Sequence, residues 1–599
     1  MSAIKIPHRS EVAVADTWNL ASLCASDEAW EQSFQEWEKQ IAGFAQFQGK
    51  LGESAASLAA CLQYDCDFDR FGDRLGVYAH LRATEDQGSS TAQRMVGRYR
   101  SVATRAAEAG SYIRPEIMRI DDAKMQKFLA SKELAPFQLL VERILRYKPY
   151  TLSDGEEKLL AMQGEMAGAT GLAATQLRDV DMKFGQVQNH RGEWLDLSNA
   201  TFGTLLHSPK REVRSAAFHQ FYAEYDAHKH TLASLLAGSI HKDIYYSRAR
   251  GYESARQGSL FGDNMPDAVY DNLIEAVHRY LPAVHKYYDV RRRKMGLADI
   301  HHYDTYVPIL SELESHRNWD EAVTVIMESL QPLGKDYCQV LEGGLRGRWC
   351  DRYPNQGKQS GAFSSGSFDG DPYILMNYQA EVLDHVFTLT HEAGHSMHSH
   401  LSRTHQPYQY SQYTIFVAEV ASTFNEQLLS RHLLKLAGSD REKAYLINRE
   451  IDAIRGTIIR QTMFAEFEKI THAMAERGEA LTLDAFENVY RQLLEQYFGP
   501  NFAIDKELSL ECLRIPHFFR AFYVYKYATG LSAAIALSER VLKGGKRELS
   551  DYLGFLGAGC SKFPLDLLRD AGVDMEKPEP VETALKYFES LVDQLDQLL

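Results

Sequence analysis

The 599-residue sequence predicts a mainly α-helical protein with a small β-sheet near its candidate active site. Three observations carry that expectation. Apolar residues recur at steps of three and four over most of the chain, two stretches alternate apolar and polar residues around turn formers, and a His-Glu-x-x-His segment lies inside an uninterrupted helical pattern. The length allows one large body with smaller helical units attached, and the expected boundaries are a helical region over 1–115, a second unit over 116–199 and the site-bearing region over 200–599. With 45% hydrophobic and 25% charged residues, the composition is that of an ordinary globular protein and argues against disorder.

The elements follow in order. Trp30, Phe34, Trp37, Ile41, Phe44 and Phe47 form one amphipathic helical stripe, with Ser26 as its N-cap and Gly49 beyond its end. Helical spacing continues to about residue 115, with no fixed-period repeat. An apolar run from Phe137 to Leu145 ends at Pro149, and Ser153 with Glu156 three residues on reads as a capping box opening the next helix. Between Asp181 and Ser198, two alternating stretches flank the turn-forming Asn189 to Gly192 and predict a β-hairpin. Long helices resume from about residue 200, including one near Pro266 to Tyr280. Gly361 to Gly366, Asp371-Pro372 and the extended Tyr373 to Tyr378 then predict a small sheet. Leu585, Phe588, Leu591, Val592 and Leu595 mark a last amphipathic helix after Pro578 and Pro580.

Composition removes several function classes. A formal net charge of -15 without a concentrated Lys/Arg run argues against a nucleic-acid surface, although an acidic body still suits a neutral or cationic peptide. The opening residues show no basic stretch followed by an apolar one, and no window approaches a membrane span, so the expectation is a cytoplasmic protein without a membrane partner. Seven scattered cysteines, none in a Cys-x-x-Cys pair, suggest reduced thiols. A metal site must then rely on histidine and carboxylate.

Val382, Val386, Leu389, Ala393, Met397 and Leu401 keep helical spacing through His391-Glu392-Ala393-Gly394-His395. Residues four apart share a helix face, so His391 and His395 can present their imidazoles to one Zn2+ ion while Glu392 lies beside the position left for water. A third histidine at the metzincin spacing is excluded, because position 401 is Leu401 and position 398 is His398 rather than glycine. His398 and His400 follow too closely to join the same tetrahedron and are expected to be solvated or to support the ligands. Glu419 is the expected third ligand, since a carboxylate among the small and apolar residues around it needs a cation partner. Glu426, two turns later, is open to three readings: a substitute ligand, a carboxylate orienting a histidine, or an exposed helical residue. Asp384, seven residues before His391, is expected to be solvated.

DTWNL, PYILMNY, TLTHEAGHSMHS, TIFVAEVASTFNE and IPHFFRAFYVYKYATGLSAA occur in this order across the chain. On these blocks the sequence resembles the oligoendopeptidase F branch of the thimet oligopeptidase family of zinc metallopeptidases, specifically after residue 360 and more loosely before it. The resemblance implies a two-lobed helical zincin-type fold with a deep central channel that admits short unstructured peptides. It makes 116–199 the oligoendopeptidase F-type N-terminal domain and 200–599 the zinc peptidase catalytic domain. It implies His391, His395 and Glu419 as ligands of one Zn2+ per chain and Glu392 as general base, the same four residues that spacing selects. It adds His517, Tyr523, Tyr525 and Tyr527 as counterparts of the family's His and Tyr cluster. Of these His517, Tyr523 and Tyr527 are the catalytic candidates, because Tyr523 and Tyr527 would share a helix face after a start at Pro516, with Tyr525 turned away. The same aromatic residues would equally suit a packed core.

The expected activity is zinc-dependent endopeptidase hydrolysis of short oligopeptides, with Glu392 taking a proton from the zinc-activated water. Gly361 to Gly366 and Tyr373 to Tyr378 offer either an edge strand for a peptide backbone or a structural hairpin. The motif leaves open a dipeptidyl carboxypeptidase or other exopeptidase on the same scaffold, and, from another class, a non-catalytic helical peptide-binding protein. Oligomeric state is not readable from the chain.

Overall fold

The computed structural model describes residues 6–310 and 316–599. Helices dominate, and two small sheets accompany them among the described residues. The chain divides into two compact units, each assembled from three segments: Met1–Pro149, Glu314–His432 and Leu537–Gly572 in the first, and Tyr150–Leu313, Leu433–Ala536 and Val573–Leu599 in the second.

The first unit is built on aromatic packing. Ser26 caps the helix Asp27–Gln40 by accepting the Ala29 N–H at 3.2 Å, and Trp30, Phe34 and Trp37 are buried along one face. The regular helix stops at Gln40 and tightens to a 3₁₀ turn over Ile41–Gln46, so Phe44 continues the expected stripe with different backbone geometry. Gly72, on the helix Ala55–Glu85, lies where a Cβ would sit 2.6 Å from the Trp37 ring. The absence of a side chain there lets the two helices close over the indole.

Tyr373 and Leu375 belong to the same apolar core, which joins these helices to a three-stranded sheet. Tyr373–Leu375 is the central strand; it pairs in parallel with Cys350–Asp351 and antiparallel with Phe363–Ser365, Ile374 standing opposite both Cys350 and Ser364. The sheet lies before the motif helix as expected. The extended run at Tyr373 is its centre, however, and Cys350–Asp351 and Phe363–Ser365 form its two edges. Asp351 is fully buried and would be costly alone; Arg9 and Lys358 neutralise it, the latter at 2.6 Å.

Helices of 40 residues (Arg211–Arg250) and 28 residues (Asp267–Lys294, with Pro266 at its N-cap) frame the second unit. The closing helix Glu579–Leu598 buries Val581, Leu585, Phe588, Val592 and Leu595. Ser153 and Glu156 form the predicted capping box. The hairpin is present but shorter than the alternating text: Gln186–Gln188 pairs with Trp194–Asp196, while Leu177–Asp181 completes the preceding helix as a π-turn. Asn189 Oδ1 closes the loop by accepting the Arg191 and Glu193 N–H groups. Buried Asp304 meets Arg211 and Arg214 at 2.9 and 2.7 Å.

Candidate active site

The motif helix spans Leu383–His405, and Val386, Leu389, Ala393 and Met397 fill its buried face. That anchoring leaves His391 and His395, one turn apart, on the flank facing a second helix, Ile415–Leu436, whose residues up to His432 belong to the same unit. Gly394 sets how closely the two helices approach. A Cβ at this position would lie 2.6 Å from both the carbonyl oxygen of Ala421 and the Cα of Ser422, so a side chain is incompatible with the crossing.

The close approach brings Glu419 to the histidines. Its Oε2 lies 3.2 Å from Nε2 of His391 and 3.4 Å from Nε2 of His395, and the three candidate ligand atoms all fall within 4.8 Å of one another. Glu426 approaches from the other side, with Oε1 2.7 Å from Nδ1 of His391. Of the three readings for Glu426, this geometry fits the carboxylate that orients a histidine: its oxygen faces Nδ1 while Nε2 faces Glu419. Ser422 donates its hydroxyl to Glu419 Oε2 at 3.0 Å.

The electrostatics follow from burial and pairing. Desolvation lowers the pKa of His391, but Glu419 and Glu426 outweigh it and raise the value to about 10. Burial would raise that of Glu419, yet the two imidazoles hold it well below the usual carboxylate range. Glu392 is buried, and desolvation lifts its pKa above that of an ordinary glutamate against the opposing pull of His391 and His395. Two imidazole nitrogens and one carboxylate oxygen are a donor set suited to zinc. The two separations of Glu419 from the imidazoles also fit, because a tetrahedral ion with bonds of about 2.0–2.1 Å keeps its ligand atoms roughly 3.3–3.4 Å apart.

Asp384 is exposed, as expected. His398 is not solvated. It is fully buried, its ring stacks on Tyr413 at 3.7 Å, and burial pushes its pKa down to about 3. The residue after Met397 lies on the packed side of the helix, so of the two roles expected for His398 burial excludes the solvated one and leaves that of support to the ligands open. His400 is half-buried beside Trp349.

His517, Tyr523 and Tyr527 come together in the second unit. Tyr527 Oη is 3.4 Å from His517 Nε2, and the rings of Tyr523 and Tyr527 meet edge-on at 5.4 Å. Desolvation, then the nearby Arg520, lowers the pKa of His517. The local backbone differs from the single helix expected. Pro516–Phe519 is a 3₁₀ turn, the helix begins only at Tyr525, and Phe522 between them has φ 54°, which no right-handed helix permits. Tyr525 is buried, with its ring 5.1 Å from that of Tyr270.

Two contributors escaped the sequence reading. Gly394 carries a signal, since a glycine inside a helix costs about 1 kcal/mol relative to alanine and thereby points to a close backbone approach. Ser396, whose Oγ lies 2.8 Å from Ser364 Oγ on the edge strand, has none.

The profile of peptidase family M3 matches residues 204–587, and that of oligopeptidase F matches 116–184. The chain belongs to peptidase family M3. Within this family it is similar to oligopeptidase PepF of Bacillus subtilis (strain 168), with 42% identity over 100% of this chain and 89% of that protein. Group B oligopeptidase PepB of Streptococcus agalactiae is 35% identical over 99% of this chain and 98% of that one. Among solved structures, a peptidase from Chlamydophila abortus superposes with a TM-score of 0.94 at 34% identity, covering 99% of this chain and 100% of the other. Oligoendopeptidase-F from Enterococcus faecium gives 0.74 at 31%, covering 96% and 99%. The M3 chain is therefore a peptidase acting on oligopeptides, with the mainly helical fold of that family. Among its described residues, no helix is long and apolar enough to cross a membrane.

Proposed function

We propose that this M3 peptidase is a zinc-dependent endopeptidase that cuts internal bonds of short peptides, with His391, His395 and Glu419 holding one zinc ion and Glu392 as general base. One observation carries the reading: two Nε2 atoms and a carboxylate oxygen converge at ligand spacing on a pair of helices, with a buried glutamate next to them in sequence. Zinc bound there supplies Lewis acidity, lowering the pKa of a water to about 7 and polarising a carbonyl oxygen.

The chain's own groups do the rest. Glu392 accepts a proton from the attacking water and passes it to the nitrogen of the departing amine as the C–N bond breaks. Its desolvated carboxylate is a stronger base than an exposed one. Glu426 holds Nδ1–H of His391, which keeps Nε2 directed at the ion. His517, Tyr523 and Tyr527 donate hydrogen bonds to the oxygen that gains negative charge in the tetrahedral intermediate. The edge strand Phe363–Ser365, whose Ser364 backbone meets the Glu392 carboxylate, suits a substrate strand bound through its main chain, which tolerates varied sequence. Restriction to short peptides rests on the family resemblance and on the oligopeptidase relatives, and a cytoplasmic setting on seven free cysteines.

The test uses a peptide library blocked at both ends, incubated with metal-stripped and with zinc-restored protein, and mass spectrometry of the products. Internal cleavage that returns with zinc is the expected result. Cleavage confined to peptides with free ends would replace the endopeptidase with an exopeptidase. Glu392→Gln should bind zinc normally and lose turnover by at least a thousandfold; retained turnover removes Glu392 from its role.

A further inference from the structure

His517 and Tyr523 flank a backbone turn whose conformation needs an external cause. Phe522 adopts φ 54°, a region that a bulky side chain enters only when its surroundings over-determine it. The helix Arg460–Glu476 grips this turn at two points. Phe518 packs against Phe464 and Phe467, at ring separations of 5.6 and 4.9 Å. Four residues on, the Phe522 N–H donates to Oε1 of Glu468 at 2.9 Å. The Phe522 ring is wedged between Tyr270 and His472, at 5.9 and 4.6 Å, and Tyr270 is itself fixed by donating its hydroxyl to Ala465 O at 2.6 Å. Lys526, paired with Asp263 at 2.7 Å, ties down the far end.

The two anchors point inward and the two functional candidates next to them do not. Phe518 and Phe522 are buried, whereas His517 and Tyr523 are partly exposed. We infer that Glu468 is a positioning residue: by holding the Phe522 amide it locks the left-handed turn that brings His517, Tyr523 and Tyr527 into one cluster. A carboxyl in this apolar interior is costly to bury unless it answers a specific donor, and the Phe522 amide is that donor. Burial, with Asp243 nearby, raises the pKa of this carboxyl well above the ordinary glutamate value, and an oxygen able to accept the amide remains in either protonation state. A leucine would fill the space without holding the amide, and the turn would relax toward ordinary φ.

The inference rests on the assignment of the His517, Tyr523 and Tyr527 cluster to catalysis, and the experiment separates the two. In the zinc-loaded enzyme, Glu468→Gln keeps the acceptor and should retain kcat within about twofold. Glu468→Leu should lose kcat at least tenfold with KM nearly unchanged, and should lose hydrogen-exchange protection at the Phe522 amide. Combined with Tyr523→Phe, Glu468→Leu should add little further loss, because both changes act through one group. Should Glu468→Leu fail to fold, Glu468→Met, which also offers the Phe522 amide no oxygen acceptor, should show the same loss of kcat of at least tenfold. Wild-type kcat in Glu468→Leu or in Glu468→Met, equal damage from Glu468→Gln and Glu468→Leu, or fully additive losses with Tyr523→Phe would overturn the inference. Unchanged kcat in Tyr523→Phe, Tyr527→Phe and His517→Ala would instead remove the catalytic assignment on which it rests, while the hydrogen-exchange result still reports on the clamp.

Discussion

Replacing Gly394 with alanine adds one methyl group between two helices that have no room for it. The new Cβ would lie 2.6 Å from Ala421 O and from Ser422 Cα, where ordinary contact begins near 3.4 Å. Both obstacles are backbone atoms, so no side chain can swing aside, and relief requires the helices to move apart by the better part of an ångström. Glu419 and Glu426 ride on the helix that must move. Metal–ligand distances tolerate about 0.2 Å, so a displacement several times larger should weaken zinc binding at least tenfold. Helix propensity works the other way, because alanine favours a helix by about 1 kcal/mol over glycine. Zinc affinity measured by competition with a chelating dye, alongside the melting temperature of the metal-free protein, separates the two effects. Gly168→Ala, on the helix Gly164–Gln176 with nothing within 4 Å of its would-be Cβ, serves as control and should leave affinity unchanged. Wild-type zinc affinity in Gly394→Ala would refute the argument that the crossing distance sets the site.

Three further outcomes follow. Glu426→Ala removes the acceptor for His391 Nδ1 and should weaken zinc by about 10–100-fold without unfolding the protein; unchanged affinity in the same dye assay would contradict the orienting role. His302 and His398 are buried with pKa values pushed down to about 3, whereas in the unfolded chain they titrate near 6.5. Below that value the unfolded chain binds protons that the folded chain refuses, so stability that is complete above about pH 6.5 should be lost progressively toward pH 3. The melting temperature of metal-free His398→Phe should then fall less steeply with acid than that of the unaltered protein, and equal slopes would refute the assignment. Asp304→Ala leaves buried Arg214 without its carboxylate and should cost about 3–5 kcal/mol in denaturant unfolding; a loss below about 1 kcal/mol would show that the pair is replaced by solvent.

Local signals were readable in the sequence and pairwise ones were not. Ser26, Ser153 and the Asn189 to Gly192 turn act within a few residues of themselves, and each appears where its pattern predicts. The motif helix and the convergence of Glu419 on it were also legible, because a histidine pair one turn apart leaves a specific need for a third donor. The order of the sheet was not, since the last strand in sequence, Tyr373–Leu375, inserts between the two earlier ones and takes the central place from them. Burial of His398 depends on Tyr413, which lies beyond the end of the motif helix. The delayed helix start at Tyr525 depends on Glu468, 54 residues from Phe522 in sequence. Helical spacing alone continues straight through that turn and has no means of showing that a distant carboxyl interrupts it.

Glu419 and Glu426 stand two turns apart on one helix, about 10.5 Å along its axis, and approach opposite nitrogens of the same imidazole. His391 is thus a rung fixed at both ends to a single rail. If the two helices slipped past each other by one residue during folding, both contacts would break together and no partial set of ligands would remain in place. Metal uptake would then work as a proofreading step, because the ion can be retained only by chains whose helices have docked in register, and a misdocked chain would stay metal-free and inactive.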